Sequence, residues 1–201
     1  MKPLNDLLQN WLKPVLLCLM LSYQTLAFAL DMDRNYLTQS ESKVSDFNLT
    51  TGDMIPSVGL FDSKGEKHNL RLLSKQQNIL LVIYRGEWCP FCIAQLNSFE
   101  AVLPELKNFN TRLVAVSPDD QNTTKNTQHQ FGTDYLFLTD SEFKLIDALG
   151  LKNDEELPHP ATILIAQGGK VLWFYADSNY KVRPSGKQTY QILSRFLTKK
   201  P

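Results

Sequence analysis

The stretch that most constrains this chain is 78-NILLVIYRGEWCPFC-92. Asn78 to Tyr84 is a continuous apolar run that ends in polar loop residues. A run of that length with no polar face predicts a strand buried on both sides of a sheet. Pro90 stands where a helix can open without losing a hydrogen bond. Beyond it Ile93, Leu96, Phe99, Val102, Leu103 and Leu106 recur at helical spacing, with Pro104 expected to kink or divide the helix. A buried strand, a tight loop and a helix that starts at a cysteine pair require layers on both faces of a sheet.

The rest of the chain extends this pattern. Ile55–Phe61 and Glu66–Leu70, joined across Asp62–Gly65, read as a β-hairpin. Arg112–Ser117 reads as a second buried strand, 121–131 as a polar helix, and Tyr135–Leu138 as a short strand. Asp140 or Ser141 is the expected cap of a helix that runs to Leu149 and stops at Gly150. A second hairpin spans Ala161–Ala166 and Lys170–Ala176. Ser185 with Gln188 forms a capping box for the last helix, whose Tyr190, Leu193, Phe196 and Leu197 are expected to face inward. Helices alternating with buried strands, closed by a hairpin and helix, predict a three-layer α/β domain with a mixed sheet.

Two further features place the chain. Lys2 and Lys13 precede an apolar run, Val15–Leu21, and Ala27-Phe28-Ala29 supplies a small-x-small cleavage pattern. Residues 1–29 therefore read as a cleavable signal peptide, 30–50 as an irregular arm, and 51–201 as the domain. The expected location is the periplasm or the exterior, with a retained anchor as the alternative and no membrane association after cleavage. Cleavage removes Cys18 and leaves Cys89 and Cys92 where disulfides can persist. The 21 basic and 21 acidic residues balance, so the footprint of a nucleic-acid binder is missing.

Three uses of Cys89 and Cys92 compete. Structural zinc needs two more ligands, yet a second CxxC is absent and His68, His129 and His159 are scattered. A structural staple gains little, because so short a loop hardly constrains the unfolded chain. A redox pair fits the setting. At the helix N-cap, unpaired N–H groups and the helix dipole favour thiolate at Cys89, making it the nucleophile. Cys92, about one turn on, can resolve a mixed disulfide.

Residues from about 51 to 197 resemble the AhpC/TSA, peroxiredoxin-like branch of the thioredoxin superfamily. Tyr84 to Cys92 resembles its YRGxWCPxC segment, Val114–Asp119 and Leu138–Asp140 its post-strand segments, and Tyr180–Pro184 its YxVRP element. Leu157–Thr162 is similar to the segment that carries the family's cis-proline, which maps to Pro160. The resemblance implies a thioredoxin-like three-layer sandwich with an N-terminal β-hairpin. It departs from the family at Gly86, where peroxidases carry threonine, and from thioredoxins at Ile83, where they carry a buried acid. His159, beside Pro160, is positioned to tune the thiolate or accept a proton. Arg85 and Arg183 are candidate cations near it, and Trp88 with Phe91 a candidate apolar rim. The expected function is thiol–disulfide exchange through Cys89 and Cys92, without metal, flavin or nucleotide. The alternative is a thiol peroxidase working through a Cys89 sulfenate, and a redox-inert binding domain ranks last. Expected partners are protein thiols and disulfides or small hydroperoxides, with an unidentified electron donor or acceptor.

Overall fold

The computed structural model describes residues 39–198, so the signal-peptide reading, Cys18 and the Lys199-Lys200 tail lie outside the described residues. In chain order the strands are β1 (Glu41–Ser42), β2 (Gly59–Asp62), β3 (Lys67–Asn69), β4 (Asn78–Ile83), β5 (Thr111–Ser117), β6 (Tyr135–Thr139), β7 (Ala161–Ile165) and β8 (Val171–Ala176). The α-helices are α1 (Leu70–Leu73), α2 (Pro90–Phe99), α3 (Leu103–Asn108), α4 (Gln121–Phe131), α5 (Lys144–Ala148) and α6 (Gly186–Phe196). All eight strands form one sheet in the order β1-β8-β7-β4-β5-β6-β2-β3. β4, β5 and β6 run parallel, while β7 is antiparallel to both β4 and β8. The sheet is mixed, as expected.

The burial of β4 shows why it lies at the centre. Residues 79–83 are wholly buried, and successive side chains point to opposite faces. Ile79, Leu81 and Ile83 join a core with Val114, Val116, Ile163 and Ile165, covered by Leu145, Ile146 and Leu149 of α5 and its C-cap. The opposite face lies under α2 and α6. There Gln95 of α2 donates to Thr162 of β7, and the Tyr135 hydroxyl donates to the Leu96 carbonyl.

Local signals account for most boundaries. Pro90 opens α2 behind the Cys89 N-cap. Pro104 divides the long helix, with a 3-10 turn at Glu100–Val102 between α2 and α3. Asp120 caps α4 by accepting from the Thr123 N–H, and the Ser185–Gln188 capping box is formed on α6.

Three expectations change. The arm is not wholly irregular: Glu41–Ser42 adds a parallel edge strand to β8, because the β8 backbone has an open side that the arm can reach. α5 begins at Lys144 behind Phe143, which adopts a left-handed φ of 58°. Asp140 still serves that helix from further out, its Oδ2 accepting from the Leu145 and Ile146 N–H groups. On α6, Thr189 and Ile192 are buried with Leu193, whereas Tyr190, Phe196 and Leu197 are only half-buried.

Candidate active site

The site forms at the carboxyl ends of β4, β5 and β6, beside the amino end of β7, where open α/β sheets leave a crevice. The 84–88 loop follows β4, Asp119 follows β5, and His159-Pro160 precedes β7. Cys89 is the N-cap of α2 in extended conformation, and its carbonyl accepts from the Cys92 and Ile93 N–H groups at 3.0 and 3.1 Å. This holds the two sulfurs on the first turn, and both cysteines are free thiols.

Cys92 is wholly buried and receives the Arg85 backbone N–H at 3.4 Å. Burial pushes its thiol pKa up; Arg183's charge pulls it back down, and hydrogen bonding with Cys89 raises it again. That last contact favours a proton on Cys92 held toward the Cys89 sulfur. Cys89 is only 1% exposed. Its N–H donates to the Gly86 carbonyl at 3.2 Å, closing a tight turn that tucks the residue beneath its own loop.

Gly86 is demanded by that loop. Its φ is +148°, and a Cβ there would lie 2.6 Å from Trp88 Nε1 and 2.8 Å from Asp119 Oδ1. The threonine of family peroxidases does not fit this conformation. Asp119 carries no local signal in the sequence, yet its Oδ2 accepts from the Glu87 N–H and the Ser117 hydroxyl, both at 2.9 Å. Burial raises its pKa, partly offset by those two bonds. Gln95, one turn beyond Cys92 and 5% exposed, donates to Thr162 Oγ1 at 3.2 Å and to the Pro184 carbonyl at 3.0 Å. It ties the cysteine helix to β7 and to the Arg183-Pro184 segment. Nothing in local spacing marks Asp119 or Gln95, because each acts on a segment distant in sequence.

The other predicted residues separate into two groups. Arg183 is half-buried, donates to the Tyr180 carbonyl and acts electrostatically on Cys92. Trp88 is 60% exposed and Phe91 lies edge-on to Tyr180 with centroids 5.6 Å apart, so an aromatic rim surrounds the loop. Arg85 is buried, its guanidinium 4.6 Å from the Tyr180 centroid and 5.3 Å from that of Trp88. His159, in contrast, lines a cleft with Arg85, and its ring is influenced by Arg85, Ser178, Asp177 and Asp154 rather than by either sulfur. Burial, then Arg85's charge, lowers its pKa below the usual imidazole range, which leaves it neutral near pH 7. Pro160 is buried beside it, but no peptide bond among the described residues is cis, so the cis geometry implied by the resemblance is corrected to trans. The three histidines are scattered as expected, but His68 meets Asp62 and Glu66 across the β2–β3 hairpin, with ligating atoms within 4.8 Å. There His68 Nε2 lies 2.9 Å from Asp62 Oδ2, a contact that locks the hairpin.

A mixed sheet between helical layers, with a CxxC opening the helix after its central strand, defines a thioredoxin-like α/β protein with a dithiol site. Residues 51–174 match the AhpC/TSA family, and the chain belongs to it. Among curated relatives it is similar to a chloroplastic peroxiredoxin Q from Suaeda salsa, 24% identical over 144 residues. That match covers 71% of this chain and 64% of the relative, so the chain spans less than two thirds of the relative's length. The fold is similar to peroxidoxin BcpB from Mycobacterium tuberculosis (TM-score 0.65, 20% identity, 74% of this chain and 97% of that one). It is similar also to reduced Prx3 from Vibrio vulnificus (TM-score 0.67, 19% identity, 73% and 99%).

Proposed function

We propose that this chain is a thiol-dependent peroxidase that reduces small hydroperoxides through Cys89. The observation that carries the reading is the burial of Cys89 at the helix N-terminus. A nucleophile with 1% exposure admits a small oxidant far more readily than a folded protein's disulfide. Membership of the AhpC/TSA family and likeness to a peroxiredoxin Q support the same order. The sequence alone ranks disulfide exchange first, and the burial of Cys89 reverses that order.

In the proposed reaction the Cys89 thiolate attacks the terminal peroxide oxygen and the O–O bond breaks. Water or an alcohol leaves with a proton, and Cys89 becomes a sulfenic acid. The Cys92 thiolate then attacks the Cys89 sulfur, hydroxide leaves and takes up a proton, and the Cys89–Cys92 disulfide forms. External thiols restore the pair. Arg183 eases ionisation of Cys92 for the second step. The Ala27-Phe28-Ala29 pattern supports placing this activity outside the cytoplasm.

Disulfide exchange remains a second reading, favoured by Gly86 in place of threonine and by the exposed Trp88–Phe91 rim, on which a polypeptide can lie. Stopped-flow oxidation of the reduced protein separates the two. Hydrogen peroxide is expected to react faster than a disulfide-bearing peptide; the reverse order would restore exchange as the primary activity.

A further inference from the structure

Cys89 is 1% exposed, so the route to its sulfur depends on what holds the 84–88 loop. That loop touches both cysteines through its backbone. The Arg85 N–H donates to Cys92 Sγ at 3.4 Å, and the Gly86 carbonyl accepts from the Cys89 N–H at 3.2 Å. The sheet still holds the first residue of the loop, because the Tyr84 N–H donates to the Val116 carbonyl at 3.0 Å. Further along, the tie is Asp119, in the segment after β5, whose Oδ2 accepts from the Glu87 N–H at 2.9 Å.

Asp119 is itself held in place. Its Oδ2 also accepts from the hydroxyl of Ser117, a wholly buried residue, at 2.9 Å. Its carbonyl accepts from Thr139 Oγ1, which links it to the end of β6. Its Oδ1 packs against the loop, since a Cβ on Gly86 would lie 2.8 Å from it and 2.6 Å from Trp88 Nε1. A carboxylate fixed in this way is a rigid acceptor, and hydrogen bonds to charged groups are among the stronger ones. A side chain from another strand therefore grips the middle of the loop.

We infer that Asp119 is a positioning residue that sets the size of oxidant the site admits. By bracing Glu87 it keeps the 84–88 loop closed on the cysteine pair, so hydrogen peroxide reaches Cys89 and a bulky aryl hydroperoxide is held back. The inference rests on the peroxidase reading and narrows its substrate class to the smallest hydroperoxides. Asp119 acts through the loop, so the oxidation step keeps the form given above. A compact oxidant needs the smaller loop displacement. A larger one reacts in proportion to the fraction of molecules with the loop open. Loss of one charge-assisted hydrogen bond is enough to raise that fraction about tenfold.

The test compares hydrogen peroxide with cumene hydroperoxide in stopped-flow oxidation of the reduced full-length protein. Asp119→Ala is expected to raise the rate constant for cumene hydroperoxide, relative to that for hydrogen peroxide, about tenfold. A change in the thiolate fraction at Cys89, or in general stability, alters both rates alike and cancels in the ratio. Asp119→Asn, which keeps an acceptor oxygen without the charge, is expected to raise the ratio less. Ser117→Ala frees the carboxylate without deleting it and is expected to shift the ratio in the same direction. A ratio that stays constant across these variants would overturn the inference. Labelling of the reduced protein reads the loop without any peroxide. Asp119→Ala should speed capture of Cys89 by a bulky maleimide more than by iodoacetamide, and equal acceleration would count against the brace. Peroxide consumption by the unaltered protein tests the peroxidase reading alone, so the two can fail separately.

Discussion

At the scale of residues, the two sulfurs differ in chemistry more than in exposure. Both are buried, but Cys92 carries the raised pKa, set by burial and by its hydrogen bond with Cys89. Cys92 is therefore expected to keep its proton as pH rises. Alkylation from acidic to mildly alkaline pH, read by mass spectrometry at each cysteine, should label Cys89 first; earlier labelling of Cys92 would reverse nucleophile and resolver. Cys92→Ser should still consume one equivalent of peroxide and accumulate a sulfenate at Cys89 that a sulfenate-specific reagent traps. Cys89→Ser should do neither. Asp119 contributes at this scale by anchoring the Glu87 N–H, which holds the loop that Gly86 permits.

At the scale of elements, the junction of α2 with α6 controls the site. The Gly186 N–H donates to Ser98 Oγ at 2.8 Å, and a Cβ on Gly186 would lie 2.0 Å from the Ser98 carbonyl oxygen. The backbones meet too closely for any side chain. Gly186→Ala is expected to force α6 away from α2 and cost about 1–3 kcal/mol, the usual penalty of overpacking. Urea denaturation measures this as a lower midpoint; an unchanged midpoint would show that the junction yields freely. Because Gln95 bonds the Pro184 carbonyl just before this junction, the same variant should also alter the reactivity of Cys92. Here the capping box was legible from Ser185 and Gln188, whereas the close approach was not, since it depends on how two distant helices cross.

At the scale of the whole molecule, residues 41–49 belong to the fold. β1 pairs with β8, Lys43 donates to the Ala176 carbonyl at 2.9 Å, and Val44 and Leu49 enter the core. Phe47 packs on Phe174 with centroids 4.9 Å apart. A chain starting at residue 51 is expected to be at least about 3 kcal/mol less stable than one starting at residue 30, from the apolar surface left uncovered. Equal denaturation midpoints would show that the arm only rests on the sheet. The described residues contain no helix long and apolar enough to cross a membrane.

By itself the sequence determined what local physics can encode. The apolar run of β4, the prolines that open α2 and divide it from α3, and the α6 cap each follow from adjacent side chains and their own backbone. The pairing of Cys89 with Cys92 is of the same kind, because one helical turn brings them together. Only tertiary structure decided that Cys89 is covered, that His159 faces the Arg85 cleft rather than a sulfur, and that Glu41–Ser42 closes the sheet edge. It also brought Asp119 to Glu87 and Gln95 to Pro184. Those contacts join segments far apart in the chain. Their geometry is set by strand order and helix crossing, which no local pattern of residues records.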